Sequence, residues 1–241
     1  ILLFDGASFR NWQDPNARKP AGDSWAIENG TIKVLPKPRI REDLFTRESF
    51  ENFELTFDWK VSPGGNTGLK YRIQDVVFMD ESKLNMKLPF EQQVGYEMQH
   101  KPSRREAMSP TARSQEYVIG FEYQLIDDQR HPDAKRGDTH TSGSLYDAIP
   151  PAKLAARPAG EWNTSRLVVK GSRVEHWLNG EKVLEGRLDG PEVRKAAERR
   201  WAPAPELKRL LIEQPKKATQ IGLQNHNDTA WFRNLKIRRL D

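Results

Sequence analysis

Phe53-Glu54-Leu55-Thr56-Phe57-Asp58-Trp59-Lys60 carries an apolar residue at every odd position and a polar one at every even position. A period of two marks a β-strand with one face in a core and the other in water, because successive strand side chains leave on opposite sides. Runs of the same kind stand at 24–34, 68–74, 94–100, 117–126, 165–170, 173–178, 220–224 and 230–238. Turn chemistry separates them at Glu28-Asn29-Gly30, Ser62-Pro63-Gly64-Gly65, Lys170-Gly171-Ser172 and Leu178-Asn179-Gly180. Asn-Gly between two such runs favours a tight hairpin, since both residues tolerate positive φ. The pattern predicts an all-β sandwich of two antiparallel sheets. Helical periodicity is confined to about 191–212, where Pro191 suits a first turn and Pro203 and Pro205 interrupt the run. This predicts one short helical insertion, with Arg194, Lys195, Glu198, Arg199, Arg200, Lys208 and Arg209 on a solvated face.

The 241 residues suffice for a sizeable core and read as a single domain over 1–241. Cysteine is absent, which excludes disulfides, thiolate metal sites and cysteine nucleophiles. A net charge of +5 spread over this length is too weak a field for a nucleic-acid footprint, so no nucleic-acid partner is expected. No run approaches the roughly 18 apolar residues of a membrane-spanning helix. The chain opens on Ile1 rather than Met, from which an exported protein, periplasmic or at the cell surface, is expected after removal of a signal peptide. Gly-x-Ser-x-Gly, P-loop and Gly-x-Gly-x-x-Gly patterns are all missing, so hydrolase-elbow and nucleotide readings lack support. Gly95-Tyr96-Glu97-Met98-Gln99 echoes Gly120-Phe121-Glu122-Tyr123-Gln124, as two neighbouring strands of similar pattern would.

Strand parity assigns side chains to faces. Asn66, Lys70 and Arg72 point one way and Leu69, Tyr71 and Ile73 the other; Glu122 and Gln124 lie opposite Phe121, Tyr123 and Leu125; Gln224 and His226 share a face. Joined side by side, these polar faces make a floor of acid, base and amide groups. Left apart, each would simply meet water, the ordinary state of an antiparallel sheet. The five histidines show no metal-ligand spacing. No cofactor is expected beyond a structural calcium in the loop holding Asp127-Asp128 and His131-Pro132-Asp133, for which a plain solvated loop is the simpler reading. Trp162, in Gly160-Glu161-Trp162-Asn163 between a Pro-rich loop and a strand, is the aromatic placed to stack on a sugar.

Eight ordered motifs together resemble the 3-keto-disaccharide hydrolase family. They are Leu3-Phe4-Asp5-Gly6 with Trp12; Gly65-Asn66-Thr67-Gly68 with Tyr71-Arg72; Phe121-Glu122-Tyr123-Gln124-Leu125-Ile126-Asp127-Asp128; Gly143-Ser144-Leu145-Tyr146; Gly160-Glu161-Trp162-Asn163; Trp177-Leu178-Asn179-Gly180; Ile221-Gly222-Leu223-Gln224-Asn225-His226; and Phe232-Arg233-Asn234-Leu235-Lys236-Ile237. Thr67 stands where Ser is usual, and about 76–117 reads as an insertion. The resemblance implies a concanavalin A-like lectin/glucanase jelly roll acting on a small carbohydrate. It implies glycosides oxidised to a ketone at C3, cleaved by elimination and then hydrated. On that chemistry Glu122 is the candidate base, Lys70 or Arg72 the stabiliser of the enolate oxygen, and His226 the candidate acid. Asn66, Gln124, Asp127, Tyr146, Trp162, Gln224 and Arg233 are the candidates for holding the sugar. Glu122-x-Gln124-x-x-Asp127 is also similar to the Glu-x-Asp-x-x-Glu strand of laminarinase-type glucanases, with Gln124 breaking the carboxylate series. A conventional glycosidase and a non-catalytic carbohydrate-binding module are the alternatives.

Overall fold

In the computed structural model, which describes residues 1–13, 23–100 and 113–241, the alternating run lies in the strand Phe53–Val61. Its odd residues are buried and its even ones half-buried. The strands follow as β1 (Trp12–Gln13), β2 (Trp25–Glu28), β3 (Thr31–Val34), β4 (Ile40–Arg41), β5 (Leu44–Thr46), β6 (Phe53–Val61) and β7 (Asn66–Asp80). Then come β8 (Ser114–Ile126), β9 (Asn163–Lys170), β10 (Arg173–Leu178), β11 (Glu181–Arg187), β12 (Gly222–Leu223) and β13 (Ala230–Arg239). One sheet has the order β1-β5-β12-β7-β8-β4 and the other β11-β10-β9-β6-β13-β3-β2. Pairing is antiparallel except where β4 lies parallel to the start of β8. Asn29 and Gly30, at φ 50° and 71°, make the tight turn between β2 and β3.

Between the sheets, Leu55, Phe57 and Trp59 of β6, Leu167 of β9 and Phe232 of β13 share one core with Leu69 and Tyr71 of β7 and Tyr123 and Leu125 of β8. Each fully buried side chain of this size contributes roughly 1.5–3 kcal/mol. That core occupies one face of the β7–β8–β12 sheet and leaves the other face for polar residues.

Residues 94–100, expected as a strand, lie in the helix α1 (Phe90–His100). Val94 and Met98 are four apart, a spacing that fits both periods. Phe90 repeats that spacing, and what separates the periods is Tyr96, which a strand would place beside Val94 but which is exposed while Val94 is fully buried. The echo of Gly95–Gln99 with Gly120–Gln124 therefore joins a helix to a strand rather than two strands. Within 76–117, Val76–Asp80 continue β7 and pair with Ser114–Val118 of β8, and residues 101–112 lie outside the described residues. The segment 191–212 forms α2 (Pro191–Arg200), α3 (Pro205–Lys208) and a wide turn over Arg209–Glu213. Val193, Ala197, Leu207, Leu211 and Ile212 attach it to the core. Among the described residues no helix is long and apolar enough to cross a membrane.

The parity of β7 breaks at a bulge. Tyr71 pairs with Phe121 and pairing resumes at Asp75 with Ile119, so Arg72, Ile73 and Gln74 oppose Gly120 alone. Arg72 takes a left-handed φ of 51°. Its guanidinium donates to the carbonyl oxygens of Lys217 and, at 2.8 Å, Gly171. Gly171 lies in the β9–β10 turn of the opposite sheet, so Arg72 ties the two sheets together.

His176 of β10 is fully buried, stacked on Tyr123 at 4.1 Å between ring centroids. Its Nδ1 lies 2.9 Å from the Gly143 carbonyl oxygen, which only accepts, so Nδ1 carries the proton and Tyr71 Oη donates to Nε2 at 3.1 Å. Burial pushes the pKa of this ring down to about 3. Below the ordinary histidine pKa near 6.5 the unfolded chain takes up a proton that the folded ring refuses. Stability from this residue is therefore complete above that pH and lost as pH falls, at about 1.4 kcal/mol per unit. Urea unfolding at pH 7, 6, 5 and 4 is expected to show a steeper acid loss for the native chain than for His176→Gln; parallel curves would contradict the buried neutral ring.

Candidate active site

On the polar face of the six-stranded sheet, register brings three strands' side chains together. Lys70 of β7 pairs with Glu122 of β8 and with Gly222 of β12, and Gly68 pairs with Gln124. Lys70 Nζ stands 3.1 Å from Glu122 Oε2, with only 8% and 10% of the two side chains exposed. Gln224 Nε2 donates to the same oxygen at 3.4 Å. Oriented to satisfy its amide, Gln124 donates to the other carboxylate oxygen and to the Thr67 carbonyl oxygen, each at 3.2 Å. The carboxylate lies directly over Gly68, where a Cβ would overlap it. Burial works against the charge on Lys70, but the combined pull of Glu122, Asp43 and Tyr117 outweighs it and raises the pKa.

This pair forms the floor of a cavity of about 230 Å³, lined also by Arg41, Asp43, Asn66, Tyr117, Asp133, Tyr146, Arg200, Asn225 and His226. A smaller space of about 60 Å³ adjoins it, sharing Lys70, Glu122 and Tyr146 and walled by Val193, Ala196, Ala197, Leu211 and Ile212. Tyr146 Oη donates to Asp133 Oδ2 at 2.9 Å, and Arg200 donates to Tyr117 Oη at 2.8 Å. Two buried acceptors of the lining, Asn66 Oδ1 and Gln224 Oε1, have no hydrogen-bond partner among the described residues. A buried acceptor left unpaired costs about 1–3 kcal/mol, so both are set to accept from whatever fills the cavity, water or a ligand hydroxyl.

Of the residues singled out in the sequence, Asn66, Lys70, Glu122, Gln124, Tyr146, Gln224 and His226 line this cavity. Four others lie elsewhere. Arg72 is carried off the Lys70 face by the bulge and joins a separate cavity with Lys216 and Lys217. Asp127 turns its carboxylate to backbone donors, accepting from Gly64 at 2.8 Å, Gln129 at 3.1 Å and Arg130 at 3.2 Å. Arg233 belongs to β13 of the opposite sheet, where its guanidinium sits 4.0 Å from the Trp162 ring and 3.3 Å from Asp58. Lys60 stands 5.1 Å from the same ring. Trp162 thus stacks with cations on the far side of the sandwich instead of presenting a face to the cavity.

Sequence reasoning missed Asp43, Arg41, Tyr117 and the fit at Gly68, and it assigned Arg200 to a solvated helix face. Asp43 carries a faint signal, a charged Arg41-Glu42-Asp43 triplet between the apolar Ile40 and Leu44. Arg200 carries none, since a helix's own periodicity does not say what packs over its last turn.

Neither candidate metal arrangement fits. Asp127 is spent on N–H donors, Asp128 accepts from Ser142 N at 2.8 Å, and Asp133 is held by Tyr146 and Arg136. His131, His226 and Asp228 do bring ligand-type atoms within 4.8 Å of one another. However, His131 Nδ1 accepts the Asp133 N–H at 3.0 Å, which leaves the proton of the neutral ring on Nε2, the nitrogen 3.9 Å from Asp228. That nitrogen therefore carries a proton, not a free lone pair, toward the carboxylate and is not presented as a ligand.

Removing one member of a buried ion pair costs about 3–5 kcal/mol, whereas replacing both with apolar residues of similar size is close to neutral. Lys70→Met alone is therefore expected to lose stability on that scale in urea unfolding, and Lys70→Met/Glu122→Leu to recover most of it. Additive losses would contradict a coupled buried pair.

The sequence profile of the 3-keto-alpha-glucoside-1,2-lyase-like domain matches residues 1–238. A 3-keto-disaccharide hydrolase of Bacteroides thetaiotaomicron is 32% identical over 255 residues, an alignment covering 100% of this chain and 78% of that protein. A crystal structure from Parabacteroides distasonis, provisionally assigned as a glycosyl hydrolase, superposes with a TM-score of 0.71 at 27% identity, covering 100% of this chain and 94% of that one. The lumenal domain of VIP36, solved with calcium and a mannose-containing glycan, shares the fold at a TM-score of 0.50 and 12% identity, covering 100% of this chain and 88% of that one. The fold is a lectin-like jelly roll, and the chain belongs to the 3-keto-alpha-glucoside-1,2-lyase-like family.

Proposed function

We propose that this chain cleaves glycosides whose sugar ring carries a ketone at C3, by elimination across C1 and C2. The observation that carries the reading is the buried Glu122 carboxylate, 3.1 Å from the Lys70 ammonium at the floor of a polar cavity. A C3 ketone acidifies the hydrogen on C2. Its removal needs a carboxylate held ionised and a fixed positive charge where the enolate oxygen develops. Glu122 takes the C2 proton and Lys70 stabilises the enolate. The electron pair of the enolate then forms the C1–C2 double bond as the glycosidic oxygen leaves. Asn66 Oδ1 and Gln224 Oε1, unpaired among the described residues, accept hydrogen bonds from sugar hydroxyls. The family match and the relative's name support the same substrate class.

A second reading, an ordinary glycosidase, is favoured by one observation: a second carboxyl, Asp43, lines the cavity. Incubation with a 3-keto-disaccharide and with its unoxidised parent separates the two. The keto sugar alone is expected to be cleaved, and Glu122→Gln to lower the rate by about 10²-fold or more with the fold retained by circular dichroism. Equal cleavage of the parent, or unimpaired turnover by Glu122→Gln, would overturn the reading.

A further inference from the structure

Among the carboxyl groups lining the cavity, Glu122 and Asp43 differ most in what holds them. Glu122 has both oxygens engaged, one by Lys70 and Gln224 and the other by Gln124. Asp43 enters from the residue before β5, two places from β7 in the sheet order, and is 4% exposed. One of its oxygens accepts the Asn225 N–H at 3.0 Å. The charged groups that act on it are Lys70 of β7, Glu122 of β8 and Arg41 of β4. Burial dominates and lifts its pKa to about 7, with Lys70, the Asn225 N–H and Arg41 opposing and Glu122 reinforcing. Glu122 is thus bonded by an ammonium and two amides, whereas Asp43, lining the same cavity, takes one backbone N–H, and burial favours its neutral, proton-bearing form. His226, the other candidate acid, is 39% exposed in its side chain, and its Nδ1 lies 3.6 Å from Asp228.

We infer that Asp43 is the catalytic acid of this site, delivering its proton to the glycosidic oxygen as the bond from C1 to that oxygen breaks. The inference rests on the lyase reading above and deepens it. The step balances: the C2 proton passes to Glu122, the C2–H pair becomes the enolate and then the C1–C2 double bond, and the C1–O pair leaves with the oxygen. The Asp43 proton completes the released alcohol. Asp43 ends as a carboxylate and Glu122 as the acid, and proton exchange through solvent restores both.

Leaving-group dependence tests this. Two 3-keto-glucosides serve, a disaccharide whose leaving sugar needs a proton and a 4-nitrophenyl glucoside whose phenolate departs without one. Asp43→Asn is expected to cut kcat on the disaccharide by about 10²-fold or more, and on the nitrophenyl substrate by less than about ten-fold. Glu122→Gln should cut both alike. Equal losses for Asp43→Asn on the two substrates, or no loss on the disaccharide, would overturn the role. Should Asp43→Asn fail to fold, the native chain answers through its pH profile. An acid must be protonated, so disaccharide turnover should fall as pH rises through about 7, while nitrophenyl turnover lacks that limb; the same limb on both substrates would refute the assignment. Failure of the native chain to cleave either keto substrate strikes the lyase reading itself, a result distinct from these.

Discussion

The buried contact between Lys70 and Glu122 sets the terms for everything around it. Taking two charges out of water costs several kcal/mol per ion, and only close approach with further hydrogen bonds recovers it. The register of β7 against β8 supplies the approach, and Gln124 and Gln224 supply the bonds. Gly68 supplies the room. A slip of one residue between these strands would turn Lys70 into the core and Tyr71 into the cavity, so the hydrophobic contacts of Leu69, Tyr71, Tyr123 and Leu125 hold the register that the ion pair requires.

The two sheets divide the work. The seven-stranded sheet closes the core, and its outer face balances charges among Lys60, Asp58, Arg233 and Trp162. The six-stranded sheet turns its outer face to the cavity, walled by α2 and the turn after it. Arg72 links the sheets away from the cavity, which explains why an arginine two residues from Lys70 takes no part in the floor.

The alternation in Phe53–Val61 and the Asn-Gly turns made the sandwich legible before any coordinates, because a period of two and a positive φ are local properties. Parity also brought out the Asn66, Lys70, Glu122 and Gln124 face, which depends only on unbroken strand. It failed two residues on, at the bulge, since two extra residues are held by contacts from Lys216 and Lys217 that no local pattern contains. Asp43 stayed hidden for a related reason: it enters the site through the order β5-β12-β7, a long-range pairing. The helix at Phe90–His100 was misread because Val94 and Met98 satisfy both periods, and only the exposure of Tyr96 separates them.

At the centre of the account is removal of the C2 hydrogen by Glu122 before the glycosidic bond breaks. The most direct measurement follows a 3-keto-disaccharide deuterated at C2 through turnover in ordinary water, reading the isotope at that carbon in the released sugar against an enzyme-free control. Elimination predicts that the deuterium is lost to solvent and that the labelled substrate turns over more slowly. Release of a sugar with its C2 deuterium intact, at an unchanged rate, would contradict it.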